Sequence, residues 1–269
     1  MRPRPADRRP RLRKSLGQHH LRDGRAARPL IDFLRLAPGE TVVEVGPGGG
    51  ALTRELLATG ARVVAIELDP SWAFRLAAEL REPEGRSPRE ASIVVGDALE
   101  LAWERLPAGW RVAGNLPYNV GTAIVERIVT RARPGTIAGF LLQREVVDRL
   151  TAQPGDEAFG ALSLLVAARA RAVRLGRVRP GAFVPPPEVE SAFVGLETKT
   201  PPLPPEEMPE LERLVRAAFG QRRKSLRNAL ASVYGRSEAE RRLEAAGIDP
   251  GRRAETLDLQ AFLDLHRSR

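Results

Sequence analysis

The sequence predicts an α/β protein, a Rossmann-like, mostly parallel open sheet followed by a small all-α C-terminal domain. Three observations carry this. Short β-branched runs alternate with helix-length stretches over roughly the first two hundred residues. A glycine-rich turn directly follows the first run, and strand signals stop at a proline-rich break, "TPPLPPEEMP" at 200–209. Such alternation calls for crossover helices between parallel strands, and a purely helical remainder calls for its own small core.

The strands are expected at "TVVEV" 41–45, "RVVAIE" 62–67, "SIVVG" 92–96, "RVAGN" 111–115 and "IAGFLLQ" 137–143, with "SAFVGLE" at 191–197 as the last. Helices are expected at 50–59, 70–81, 120–132, 144–152 and 158–170. Because proline cannot continue a ladder or a helix, the break at 200–209 divides a catalytic domain at 15–199 from a helical domain at 200–269. Residues 1–14 are Arg-rich and read as a mobile basic arm.

Composition removes several kinds of chemistry. Cysteine is absent, which excludes disulfides, thiolate metal sites and a cysteine nucleophile. The three histidines, His19, His20 and His266, are too scattered for a metal site, so no metal is expected. The chain has 42% apolar residues, an ordinary share for a soluble core, and no run long enough to span a membrane. A cytoplasmic protein without membrane attachment follows.

The net charge of +9 is segregated. Residues 1–28 hold ten Arg/Lys against two Asp, 169–187 hold five Arg and no acid, and 213–236 hold seven Arg/Lys and no acid. Clusters free of acids suit a partner with a phosphate backbone, because each contact there releases bound counterions. Arg222, Arg223, Lys224 and Arg227 are the leading candidates for RNA phosphates, being four cations within six residues.

The segment "VVEVGPGGGAL" places Gly46, Gly48 and Gly50 between a strand and a helix, where a backbone without Cβ atoms lets a ligand lie close. Glu67 ends the next strand, where a carboxylate can accept both hydroxyls of a ribose. Gly46, Gly48 and Ala51 also satisfy the dinucleotide pattern, so a nicotinamide enzyme stays open at this point. Two acids favour S-adenosylmethionine. Glu44 lies near where the cofactor's ammonium would sit, and Asp97 in "GDA" at 96–98 can accept from the adenine amine. Taken alone, Asp97 serves equally well as a helix N-cap.

"NLPYN" at 115–119 ends the fourth strand, whose tip faces the ligand crevice of an open sheet. The exocyclic amine of adenine is a poor nucleophile, since its lone pair is conjugated into the ring. The Asn115 side-chain oxygen and the Leu116 carbonyl can each accept one hydrogen bond from it and aim that lone pair at a sulfonium methyl. No general base is required. Tyr118 offers a ring for an extracted base, and Phe183, ahead of three prolines, could complete a sandwich or belong to the core.

From about Lys14 to the C-terminus the chain resembles the KsgA family of rRNA adenine dimethyltransferases, related to the erythromycin-resistance methyltransferases. The resemblance rests on "GQHHL", "VEVGPGGGALT", "VVAIELD", "GDAL", "GNLPYN", "LLQREVVDRL", "FGALSLL", "AFVPPPEVESAFV", "AFGQRRKSLRNAL" and "AGIDPGRRAETL", in that order. It implies a class I S-adenosylmethionine-dependent methyltransferase fold with a helical C-terminal domain. The implied reaction is transfer of four methyls to two adjacent adenosines in a hairpin near the 3′ end of 16S rRNA, in the assembling 30S subunit; a monomer is expected. It implies cofactor contacts at His19, Leu21, Gly46, Glu67, Asp97 and Asn115, and base contacts at Asn115, Leu116, Tyr118 and Phe183. The family usually has Phe where this chain has His20, and "FQKEV" where it has "LLQREV".

Other readings are a resistance-type methyltransferase acting on large-subunit rRNA, against which the "GQRRKSLRNAL" tail stands, and a ribosome-assembly factor whose binding outweighs its chemistry. A nicotinamide dehydrogenase is disfavoured, since no donor for a carbonyl substrate accompanies the glycine turn.

Overall fold

The computed structural model describes residues 19–81, 91–221 and 224–268. The chain opens with β1 (His20–Leu21) and α1 (Arg28–Leu34), then β2 (Thr41–Val45), α2 (Ala51–Ala58), β3 (Arg62–Glu67), α3 (Pro70–Arg81), β4 (Ala91–Val95), β5 (Arg111–Asn115), α4 (Gly121–Arg131) and β6 (Ile137–Gln143). It continues through α5 (Arg144–Thr151), α6 (Ala161–Arg169), β7 (Ala170–Val178), β8 (Phe183–Val184) and β9 (Ser191–Thr198). The remainder is helical: α7 (Met208–Phe219), α8 (Leu226–Tyr234), α9 (Arg236–Ala245) and α10 (Leu259–Arg267).

Seven strands form one sheet in the order β4-β3-β2-β5-β6-β9-β7, and β1 pairs with β8 in a separate two-stranded ribbon. The pairs β2–β3, β3–β4, β2–β5 and β5–β6 are parallel, and β6–β9 is antiparallel. β6 is buried along nearly its whole length, which is why it reads as an unbroken apolar run rather than an alternating one. Chain order runs outward from β2 through β3 and β4, then reverses to β5 on the other side. That reversal opens a crevice at the carboxyl ends of β2 and β5.

The ribbon strands β1 and β8, helix α1 and strand β7 go beyond the sequence reading. α1 has Pro29 in its first turn and only seven residues, too few for a periodic signal, yet Leu30, Ile31 and Leu34 are buried in the sheet's core. Its approach requires Gly195 on β9, because a Cβ there would stand 2.6 Å from the Phe33 ring. β7 falls in the segment read only as a basic stretch. Its arginines recur every third residue, a spacing that matches neither a strand nor a helix.

Two compact units divide the chain, one of residues 1–147 with 173–199 and the other of 148–172 with 200–269. The grouping therefore differs from the expected 15–199 and 200–269 over residues 148–172. Phe159, Leu164, Leu165 and Ala168 explain this, since they share one apolar core with Leu211, Leu214 and Phe262 of the helical unit. Within that core Phe219 lies edge-on to Phe159 at 5.8 Å and stacks on Phe262 at 5.9 Å. The buried His266 is tied to Glu207 at 2.7 Å.

Candidate active site

The loop after β2 turns left-handed at Gly46, Gly48 and Gly50, with φ of 67°, 49° and 74°. Gly48 carries the strictest demand, because a Cβ there would also lie 2.7 Å from the His20 Nε2. Glu67, at the tip of the neighbouring β3, holds this loop: one carboxylate oxygen accepts from the Gly48 N–H at 3.0 Å and the other from the Asp69 N–H at 3.0 Å. Burial raises the Glu67 pKa, and the two backbone donors oppose that rise. Each oxygen keeps a second lone pair for a ligand hydroxyl.

Glu44 lies one strand away on β2, only 1% exposed and lining the same cleft. Its Oε2 has no hydrogen-bond partner, and burial pushes its pKa up to about 8. A buried acceptor of this kind is costly unless something supplies a donor or a positive charge.

β5 delivers Asn115 and the following Leu116-Pro117-Tyr118 to the same cleft. The Asn115 Nδ2 donates to the His19 carbonyl at 2.7 Å, so Oδ1 is the acceptor left for a ligand. The Leu116 N–H donates to the Leu141 carbonyl at 3.1 Å, which pins the peptide plane at the strand's tip. Tyr118 is oriented by a hydrogen bond between its hydroxyl and the Ser191 hydroxyl, and its ring lies 5.0 Å from that of His19. Sequence reasoning passes over Ser191, because a serine opening a strand carries no signal of a partner in the loop after β5.

The N-terminal segment closes one side. His19 shares its Nδ1 with the Pro185 carbonyl at 2.9 Å, and Leu21 pairs in register with Phe183. His20, where the resembled family has Phe, keeps an aromatic contact: its ring sits edge-on to Trp72 at 4.6 Å. Burial lowers its pKa to about 4, with His19 adding to the effect, so the ring is neutral at physiological pH.

The structure brings His19, Leu21, Gly46, Glu67, Asn115, Leu116 and Tyr118 together around one cleft. Phe183 is a correction. Its ring is 0% exposed and belongs to the core beneath the sheet with Leu21, Leu30 and Val178, so it presents no face to a base. Asp97 does not line the cleft; its Oδ1 accepts from the Leu99 N–H at 2.8 Å, the capping role, and Oδ2 remains for a ligand.

In the helical unit, Arg222 and Arg223 lie outside the described residues, as does the basic arm at 1–14. Lys224 is exposed. Arg227 is not an isolated cation, since Glu240 of α9 stands 3.8 Å away. The absence of acids between 213 and 236 thus misleads, because α7 and α9 bring Glu210 to Arg213 and Glu240 to Arg227.

Comparison with known proteins places this arrangement. The family described as "Ribosomal RNA adenine dimethylase" matches residues 9–268. The "Ribosomal RNA small subunit methyltransferase A" of Caulobacter vibrioides is 44% identical over 257 residues, covering 95% of this chain and 96% of the relative. The crystal structure of the 23S rRNA methyltransferase ErmE superposes with a TM-score of 0.69 at 25% identity, covering 92% of this chain and 98% of that one. A dimethyladenosine transferase from Plasmodium falciparum has the same fold, with a TM-score of 0.74 at 22% identity over 92% of this chain and 96% of that one.

Proposed function

We propose, because the chain belongs to the ribosomal RNA adenine dimethylase family, that it dimethylates the N6 amines of two adjacent adenosines in a hairpin near the 3′ end of 16S rRNA during 30S assembly. It is an S-adenosylmethionine-dependent methyltransferase by family and by its class I Rossmann-like fold. The small subunit is preferred as target because relatives named for it reach 44% identity, against 25% for the 23S enzyme. In this reading it works as a cytoplasmic monomer and needs no metal.

The observation that carries the reaction is the Asn115–His19 bond. With Nδ2 engaged by a carbonyl, the amide cannot flip without losing that bond, and Oδ1 faces an incoming amine as an acceptor. Asn115 Oδ1 and the Leu116 carbonyl would each accept one hydrogen bond from the amine, drawing the nitrogen towards tetrahedral geometry with its lone pair free. Tyr118, tethered to Ser191, supplies a fixed ring for the extruded base. The reaction then loses a proton only after the nitrogen has become cationic, so no strong base has to be held in the site.

The residues present suit the cofactor. Gly46 and Gly48 leave the loop open to a ligand, Glu67 offers two fixed acceptors to a ribose, and Glu44 offers an unpartnered buried oxygen to an ammonium group. When bound, S-adenosylmethionine supplies an electrophilic methyl on a sulfonium. His19, Leu21 and Asp97 complete the proposed contacts, and Lys224 with Arg222 and Arg223 the contacts to phosphate. The test is incubation with methyl-labelled cofactor and 30S particles lacking the modification, then digestion to nucleosides. Labelled dimethyladenosine is expected, and label in any other nucleoside would contradict the reading.

A further inference from the structure

The end of β7 and the segments flanking the β1–β8 ribbon carry basic side chains that the reaction does not use. β7 ends at Val178, which is buried in the sheet's core, while Arg177 before it and Arg179 after it are exposed. Arg179 keeps extended backbone, so the two side chains leave the same outward face about 7 Å apart along the chain. Among the described residues neither has an ion-pair partner, and no acid occurs anywhere from 169 to 187.

Arg179 also begins a tight turn, its carbonyl accepting from the Ala182 N–H at 3.0 Å. On the far side of that turn stands Arg22, whose backbone N–H donates to the Ala182 carbonyl at 2.9 Å and whose Nε donates to the Phe183 carbonyl at 3.0 Å. Those bonds orient the guanidinium and leave its two outer nitrogens for another acceptor. The nearest acid in sequence, Asp23, is already held by Arg25. Three arginines from two distant segments therefore surround one turn.

The ribbon connects this turn to the reacting end of the cleft. Arg22 lies three residue steps along the chain from His19, whose carbonyl accepts from Asn115; three extended steps span roughly 10 Å. We propose that Arg22, Arg177 and Arg179 grip the phosphates of the RNA strand immediately flanking the target adenosines, so that the strand enters the cleft along the β1–β8 ribbon. This rests on the reading of the protein as an rRNA methyltransferase and adds the path of the substrate strand. Guanidinium forks suit the site better than ammonium points would, since each can hold two phosphate oxygens.

The experiment compares the parent with Arg177→Gln/Arg179→Gln and Arg177→Lys/Arg179→Lys, using 30S particles that lack the modification. For the Gln pair, KM for 30S is expected to rise about tenfold with kcat unchanged, and the salt dependence of binding to flatten by about 0.7 to 0.9 log units per lost contact. Affinity for S-adenosylhomocysteine should stay at the parent's value, and the Lys pair should recover most of the salt slope. A Gln pair with the parent's KM and salt slope would overturn the proposal, as would equal losses in the Lys and Gln pairs or a loss confined to kcat. If the parent itself methylates no 30S adenosine, the functional reading fails separately, and filter binding of the same variants to 30S still tests the surface.

Discussion

The Asn115 amide donates to the His19 carbonyl at 2.7 Å, joining the tip of β5 to the N-terminal segment. One bond thereby sets the amide's orientation and holds the wall of the cleft. Asn115→Ala removes both. Methyl transfer in single turnovers on saturating 30S is expected to fall by about 10²-fold or more, the scale set by removing one transition-state hydrogen-bond partner. Binding of 30S should change little. A fall of less than about tenfold would rule out an orienting role.

Glu67 couples cofactor binding to the shape of the glycine loop, since the oxygen offered to a ribose also accepts from the Gly48 N–H. Glu67→Gln keeps volume but places an amide donor against one of two backbone donors. Calorimetry with S-adenosylhomocysteine should show affinity lowered by about tenfold or more, as charged hydrogen bonds contribute about 1.5 to 3 kcal/mol. Binding of 30S should persist. Parent affinity in the variant would remove Glu67 from the site.

Glu44 makes stability and cofactor binding depend on pH in opposite senses. Its folded-state pKa of about 8 lies above the ordinary value of 4.5, so between these the native state holds a proton that the unfolded state has released. The contribution of Glu44 to stability is greatest below pH 4.5 and declines as pH rises through the window to about 8. A cationic ammonium beside the carboxylate favours its ionised form, so affinity for S-adenosylhomocysteine should increase from pH 6 towards 8. Glu44→Gln cannot ionise. Its melting temperature should exceed the parent's at pH 8 more than at pH 5, and its cofactor affinity should lose the pH dependence. Parallel pH curves for parent and variant would contradict this assignment.

How much of this was legible beforehand follows from what each residue's neighbours are. The central parallel strands β2 and β6 show as β-branched or apolar runs because they are buried along most of their length, and the glycine turn shows because its left-handed backbone at Gly46, Gly48 and Gly50 favours glycine. Asn115, Leu116 and Tyr118 lie at the tip of β5, so a local motif suffices to place them in the crevice. Phe183 does not yield to such reasoning, because its burial depends on β8 pairing with β1, a segment far away in sequence. β7 is hidden for a different reason: Arg171, Arg174 and Arg177 recur at intervals of three on an edge strand. Charge counting along the chain likewise misses Glu240 beside Arg227, since ion pairs form between helices.

The central claim is that Asn115 and its neighbours hold the N6 amine of small-subunit rRNA adenosines for methylation. Its most direct test is primer extension on rRNA from 30S and 50S particles incubated with the protein and S-adenosylmethionine. Dimethylation at the Watson–Crick edge blocks the polymerase. Two adjacent stops near the 3′ end of 16S rRNA, absent with Asn115→Ala, are the expected result. Stops in the 50S rRNA, or 16S stops that survive Asn115→Ala, would contradict it.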